Sequence, residues 1–439
     1  MRSDQQQAIN RLAGTSATAF LCAVLCVYPL YIDKFSNLGV TKFTGCFTLF
    51  LLFLLWLVAC TAIGARAPRP RNANAGRDVT LWGVLAFAGT SLISTFTSLS
   101  PTASTWGLGG YYGGLMLVLF TAAGYWAVRS YLDLENLDFV FWVLGITTSI
   151  VAVLYVLNIF NIDLIGAYAD TAVVERAQFF STLGQKDFNG CFFSVALPIV
   201  FYQFLNAKDT RTAVWTGIPA AFGALALAVV DSEALALGIG AAVMVLVCHK
   251  NFTTRHLRRA VLISAAFFGW AAWMHYMRAS VYTQGGTALL AKLGAWQVAL
   301  PCMAASLLLW LVLFVLAHKG IAAQAPLYLP GRVITIAVLA VGALAFVLAN
   351  AMPNLPLPES LHNLLVFNDD WGTYRGVAWR AAFGTWADGS LLRKIVGIGP
   401  GMMHTAVAAW AGDAMTARMA TFYAAHNEYL EQLLTTGIL

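Results

Sequence analysis

The chain alternates long apolar runs with short polar breaks, and the alternation holds almost from end to end. A helix crossing about 30 Å of hydrocarbon needs ~20 apolar residues. Runs of that order fall at 13–32, 42–64, 79–99, 112–128, 138–160, 189–206, 213–230, 234–249, 260–277, 294–317 and 332–351. The pattern therefore predicts eleven membrane-spanning helices, in an all-α polytopic integral membrane protein that forms a single membrane domain over residues 1–439. One stretch breaks the rhythm: 352–425 is polar and long, and it reads as a loop carrying amphipathic helices. A twelfth helix begins at His426 but has only fourteen residues before the chain stops. Fourteen residues cannot cross a bilayer, so this helix is either truncated or docks without spanning.

Composition agrees with the pattern. With 59% hydrophobic and 10% charged residues and a mean hydropathy of +0.72, the chain lies outside the range of soluble domains. The first apolar run follows a brief charged N-terminus, as a signal peptide would, but no small-x-small cleavage site follows it; it reads as a retained helix. Lys and Arg then orient the chain. With the N-terminus cytoplasmic, fifteen basic residues fall on the inside, among them Arg66, Arg69, Arg71, Arg77, Arg255, Arg258 and Arg259. The short outside loops hold five (Lys34, Lys42, Arg176, Lys186, Arg278), and Lys292 lies at an outer helix end. The long loop, exempt from the rule, holds the rest, including Arg418. The net charge of +6 follows from this bias and gives no reason to expect nucleic acid. All seven cysteines lie in or beside apolar runs, as small core residues rather than a disulfide framework or a metal site.

Chemistry in such a chain belongs in outside loops or in cavities between helices. Loop 161–188 carries Arg176 in "VVERAQFFSTLGQKDFNG", with Asn189 at the start of the next span; the guanidinium either pairs locally or meets an anionic ligand. In the long loop, "TYRGVAWRAAFGTW" at 373–386 has helical spacing. Its expected stripe is Arg375, Trp379, Ala382, Phe383 and Trp386, with Arg380 pointing elsewhere. "VGIGPG" at 396–401 then ends that helical stretch. In "AAHNEYLEQLL", a helix from His426 would place His426, Tyr429, Leu430 and Leu433 on the packed side and Glu428, Glu431, Gln432 and Thr435 on the other. Asn427 is a plausible cap, and the positive end of the helix would keep a histidine ring neutral, as a general base requires. No Walker A loop, dinucleotide fingerprint, HExxH or GxSxG sequence occurs.

Four of these segments, in order, resemble the O-antigen ligase and O-antigen polymerase superfamily: "ERAQFFSTLGQKDFNG", "YRGVAWRAAF", "VGIGPGMM" and "AHNEYLEQLL". Each is weak alone; together they cover the chain from about residue 170 to its end. The sequence departs from the family pattern in its "QKDFN" turn, where relatives often read N-P-N. The resemblance implies a GT-C-like membrane enzyme of the bacterial inner membrane, with its active site on the extracytoplasmic face. It would transfer a glycan from undecaprenyl pyrophosphate to a hydroxyl on a glycan, lipid or protein, with inversion and with neither cofactor nor metal. His426 would then be the base, Arg176 and Arg375 the pyrophosphate ligands, and Arg380, Asn427 and Asn189 supporting residues. The alternatives within that chemistry are a surface-polysaccharide polymerase and a protein O-oligosaccharyltransferase. Asp33 in "YIDKF" is a rival base, read more economically as a surface pair with Lys34. A polysaccharide transporter or lipid-linked glycan flippase is the alternative of another class.

Overall fold

The structure is a computed structural model that describes residues 2–66, 79–108, 110, 112–280, 293–321, 324–352, 355–416 and 422–438. Arg69, Arg71, Arg77, Lys292 and Arg418 lie outside the described residues. In chain order, α1 is Arg2–Cys22, prolonged through a π-helical turn (Ala23–Val27) and Tyr28–Leu30; α2 is Leu38–Ala62, α3 Val79–Phe96, α4 Pro101–Trp106, α5 Leu115–Tyr131 and α6 Leu137–Ile159. Then come α7 Lys186–Asn206, α8 Thr210–Val229, α9 Glu233–Cys248, α10 Thr254–Ser280, α11 Trp296–His318 and α12 Tyr328–Ala351. Within the expected long loop lie α13 Glu359–Leu365, α14 Trp371–Ala387, α15 Leu391–Val396 and α16 Met403–Thr416, and α17 is Glu428–Thr435. Helices make up 78% of the structure and no strand forms among the described residues, so the fold is all-α.

Among the described residues nine helices are long and apolar enough to cross a membrane: Asp4–Leu30, Phe35–Ala62, Val79–Phe96, Leu134–Ile159, Lys186–Asn206, Thr210–Val229, Thr254–Ala279, Trp296–His318 and Tyr328–Ala351. That is the architecture of a multi-pass membrane protein. Two expected spans form shorter helices, α5 with 17 residues and α9 with 16. At about 1.5 Å per residue they fall short of about 30 Å of hydrocarbon. The expected twelfth span is α17, a helix of 8 residues that does not cross.

The chain divides into two compact units, one of Met1–Ala17, Cys46–Leu132 and Leu339–Leu439, the other of Thr18–Gly45 and Asp133–Val338. In the second, α6 to α9 enclose a core in which Val151, Ala152, Phe193, Leu197 and Ala226 are sealed from solvent. Lipid gives no hydrophobic drive between helices, so close approach at small residues carries the packing. A Cβ on Gly190 would stand 2.2 Å from the Ser232 hydroxyl, and one on Gly223 would stand 2.8 Å from Leu197. Helix α10 starts six residues before its apolar run because its charged first turns have a structural task. The Arg259 guanidinium donates to the carbonyls of Phe204, Leu205 and Ala207 at 3.0, 2.9 and 2.7 Å, and Arg255 donates to those of Ala207 and Lys208. These carbonyls lie at the last turn of α7 and just beyond it, where a helix leaves carbonyls short of intrahelical partners; only that of Phe204 also takes a cap amide, from Ala207, among the described residues.

In the first unit, α14 packs against α16 and α17. Its buried face is Val377, Ala378, Ala381 and Ala382, displaced from the stripe that spacing suggests. Phe383 is 51% exposed, while Arg375, Trp379 and Trp386 are half-buried. Small side chains line the inner face, and the Trp410 ring packs into the space left at Gly384, where a Cβ would lie 2.3 Å from it.

Candidate active site

His426 has a backbone conformation that is uncommon outside glycine. Its φ is +51°, in the left-handed region that non-glycine residues rarely occupy, and its side chain is exposed. The next residue, Asn427, is extended and caps α17: its Oδ1 accepts from the amides of Tyr429 and Leu430 at 3.1 and 3.3 Å. The preceding residue, Ala425, is sealed in the core and held at both polar atoms. Its N–H donates to the Glu431 carboxylate at 2.7 Å, and its carbonyl accepts from the Trp379 indole at 2.9 Å. Trp379 is itself seated edge-on against Trp371, with ring centroids 5.0 Å apart.

The other end of α17 is held by the glycine-rich turn. Gly397, Gly399 and Gly401 all have positive φ, of 78°, 107° and 71°. This lets the amides of Ile398 and Gly399 donate to the Leu434 and Thr435 carbonyls at 3.1 and 2.9 Å. No side chain fits at the first of these glycines: a Cβ on Gly397 would be 2.2 Å from the Thr435 carbonyl oxygen. Ser94 of α3 donates to the same oxygen. Thus α14, the glycine-rich turn and the His-Asn helix, three segments far apart in sequence, meet in the first unit.

The register of α17 corrects the sequence reading. Leu434 and Thr435 are buried, Tyr429 is 90% exposed, and the Glu431 carboxyl is turned inward. The helix begins at Glu428, and His426 lies before it in a non-helical conformation, so a 3.6-residue period counted from His426 starts at the wrong place. The packed face is set instead by the carbonyls that the glycine-rich turn engages. Burial pushes the Glu431 carboxyl up from 4.5 to about 7, with the nearby Glu428 charge adding to the shift and the Ala425 amide opposing it.

Arg375 lies on α14 one turn before Trp379, half-buried. Arg380 is exposed and ion-paired with Asp369. Both Arg380 and Asp369 line a cleft of about 530 Å³ with Val377, Trp410 and Asp413.

Arg176 and Asn189 are built into the second unit. Arg176 lies in a 3₁₀ turn, Val173–Gln178, with its guanidinium 5.3 Å from the centre of the Tyr168 ring and its Nε buried without a hydrogen-bond partner among the described residues. Tyr168 donates its hydroxyl to the Phe179 carbonyl, and burial pushes that phenol above its usual range. Asn189 is fully buried and its amide is taken up by the turn it follows. It donates to the carbonyls of Phe180, Gly184 and Gln185 at 3.2, 3.0 and 3.1 Å and accepts from the Ser181 hydroxyl at 2.6 Å. Its geometry is that of a structural pin. Asp33 accepts from the Asn37 amide, and Lys34 bridges to Asp170 at 2.6 Å, so the expected Asp33–Lys34 pair does not form.

A second cationic locus in this unit escaped the sequence reading. A pocket of about 440 Å³ is lined by Tyr155, Gln178, Gln185, Lys186, Asp231 and Arg278. Lys186 approaches Asp231 at 3.8 Å, and the Arg278 Nε is buried with no partner among the described residues. These residues stand at the ends of α6, α7, α8 and α10, and they meet only once those helices are paired. No family model, curated protein or solved structure matches this chain. Among the described residues no group of three or more His, Cys, Asp or Glu is placed to hold a metal ion.

Proposed function

We propose that this chain is an extracytoplasmic, inverting glycosyltransferase that moves a glycan from undecaprenyl pyrophosphate to an acceptor hydroxyl, in the manner of the O-antigen ligases. The observation that carries the reading is the convergence at His426. Three of the four family-like segments are hydrogen-bonded together through α17, α14 beside His426 and the glycine-rich turn at the helix's far end, and they leave an imidazole exposed on a backbone fixed on both sides. Rare backbone conformations persist where surrounding structure enforces them, and they cluster at active sites.

In this reading an imidazole nitrogen of His426 takes the acceptor hydroxyl's proton as its oxygen bonds to the anomeric carbon. The bond from that carbon to the pyrophosphate oxygen breaks, and undecaprenyl pyrophosphate leaves with the electron pair. The imidazolium then returns its proton to water. Guanidinium groups suit the charge that grows on the leaving group, and Arg375, in the same unit as His426, is assigned to it. In this reading α13 to α17 lie on the extracytoplasmic side, which the positive-inside bias supports.

Deletion of the gene tests the reading. The deletion strain accumulates undecaprenyl-pyrophosphate-linked glycan and lacks one surface polymer or glycoconjugate, and the wild-type gene restores it. Unchanged lipid-linked and surface glycans in the deletion strain would remove the proposal.

A further inference from the structure

We infer that Glu431 and Trp379 act together as positioning residues for His426, clamping the peptide that precedes it from two sides. The inference rests on the reading of His426 as the base. Ala425 has no exposed surface, its N–H is held by the Glu431 carboxylate at 2.7 Å, and its carbonyl is held by the Trp379 indole at 2.9 Å. With the residue on one side pinned in this way and Asn427 fixed as the cap on the other, the left-handed φ of +51° at His426 has little freedom to relax. The His426 side chain is exposed, and the Phe422 ring stands edge-on to it with centroids 6.1 Å apart.

Glu431 has a second contact to the same segment: its own amide donates to the Asn427 carbonyl at 2.9 Å. One residue of α17 therefore ties down the backbone on both sides of His426. The acceptor at Ala425 is supplied by a carboxylate taken out of water, at a cost in desolvation that a surface position would avoid. The Trp379 indole comes from α14, so the clamp closes only when the two helices are packed together.

A near-attack geometry tolerates little displacement: an error of about 1 Å at a reacting group costs roughly 100-fold in rate. Losing one tether should therefore lower turnover without altering donor affinity. The test uses membranes from the deletion strain expressing each variant of the full chain. The substrate is the lipid-linked glycan which that strain accumulates, and the readout is the initial rate of undecaprenyl pyrophosphate release, by mass spectrometry, against donor concentration. Glu431→Ala lowers kcat by roughly 10- to 100-fold with KM within about twofold of wild type. Glu431→Gln keeps an acceptor oxygen for the Ala425 amide and recovers most of that loss. Trp379→Phe keeps the ring, loses the donor and lowers kcat, and combined with Glu431→Ala it costs less than the product of the two single losses.

Each result has a separate reading. A Glu431→Ala kcat within about threefold of wild type, beside an inactive His426→Ala, overturns the clamp and leaves the base in place. An active His426→Ala overturns the base and the clamp with it. Equal loss in Glu431→Ala and Glu431→Gln, with KM and thermal midpoint shifting together, makes Glu431 a stability residue and also overturns the clamp.

Discussion

Gly397→Ala should open the contact between the glycine-rich turn and α17 without touching His426. The wild-type glycine has φ of +78°, and an added Cβ would meet the Thr435 carbonyl oxygen at 2.2 Å, its carbon at 2.4 Å and the Thr436 nitrogen at 2.5 Å. All three are backbone atoms, so no side chain can swing aside. With ψ at −167° the residue lies in a region populated essentially by glycine alone, and holding an alanine there costs roughly 1–2 kcal/mol or more. Pushing the segments apart also breaks the Ile398–Leu434 and Gly399–Thr435 hydrogen bonds, at about 1 kcal/mol each. The sum is about 3–4 kcal/mol, equivalent to a rise of roughly 100-fold or more in the population of the opened form. Arg393 and Lys394 lie beside the turn, and the Lys394 carbonyl accepts from the Ile438 amide at 3.2 Å, so opening exposes a tryptic site. Limited trypsin digestion in detergent, read by mass spectrometry, measures the rate of cleavage after these residues. Gly83→Ala is the control, a helical glycine with open space around it, expected to be neutral or slightly stabilising. Cleavage of Gly397→Ala no more than a few times faster than wild type would refute the argument.

The remaining expectations concern charge, turn structure and metal. Because the folded chain raises the Glu431 carboxyl from 4.5 to about 7, it binds that proton more tightly than the unfolded chain does. The stabilisation is complete below pH 4.5, is lost as pH rises toward 7, and is flat above; it amounts to no more than about 3 kcal/mol. Thermal midpoints from pH 4 to 8 should show this decline in wild type and its absence in Glu431→Gln, and parallel curves would contradict it. Asn189→Ala leaves three carbonyls and a hydroxyl without the amide that serves them, and should cost about 2–3 kcal/mol in a denaturation assay. A melt like that of wild type would mean that the turn does not depend on it. Since guanidinium groups take the leaving group's charge in the proposed reaction, exhaustive EDTA treatment of the membranes should leave the rate of donor consumption unchanged; loss of activity restored by a divalent cation would contradict that assignment.

Much of the architecture is legible in the apolar pattern because a spanning helix has to be about as long as the hydrocarbon is thick. Each of the eleven predicted runs is helical, and the α14 bounds fall within two residues of those that spacing suggests. Lengths were harder to read where polar residues join a helix. The Arg255–Arg259 turn looks like a loop by hydropathy, and it is helical because its guanidiniums close the end of α7. At the candidate site, the segments were visible as motifs and the Asn427 cap as a residue type. The register of α17 was not, because it depends on which carbonyls a distant glycine-rich turn engages. Glu431 was placed on the wrong face for the same reason. Lys186, Asp231 and Arg278 meet through helix pairing, which no local window contains.

In the proposed reaction His426 is the base of a transfer from a lipid-linked donor. The most direct measurement is mass spectrometry of lipid-linked and surface glycans in the deletion strain complemented with His426→Ala, with expression checked against wild type. The account predicts that this strain matches the deletion, with donor accumulated and the surface product missing. A normal surface product made by His426→Ala would contradict it.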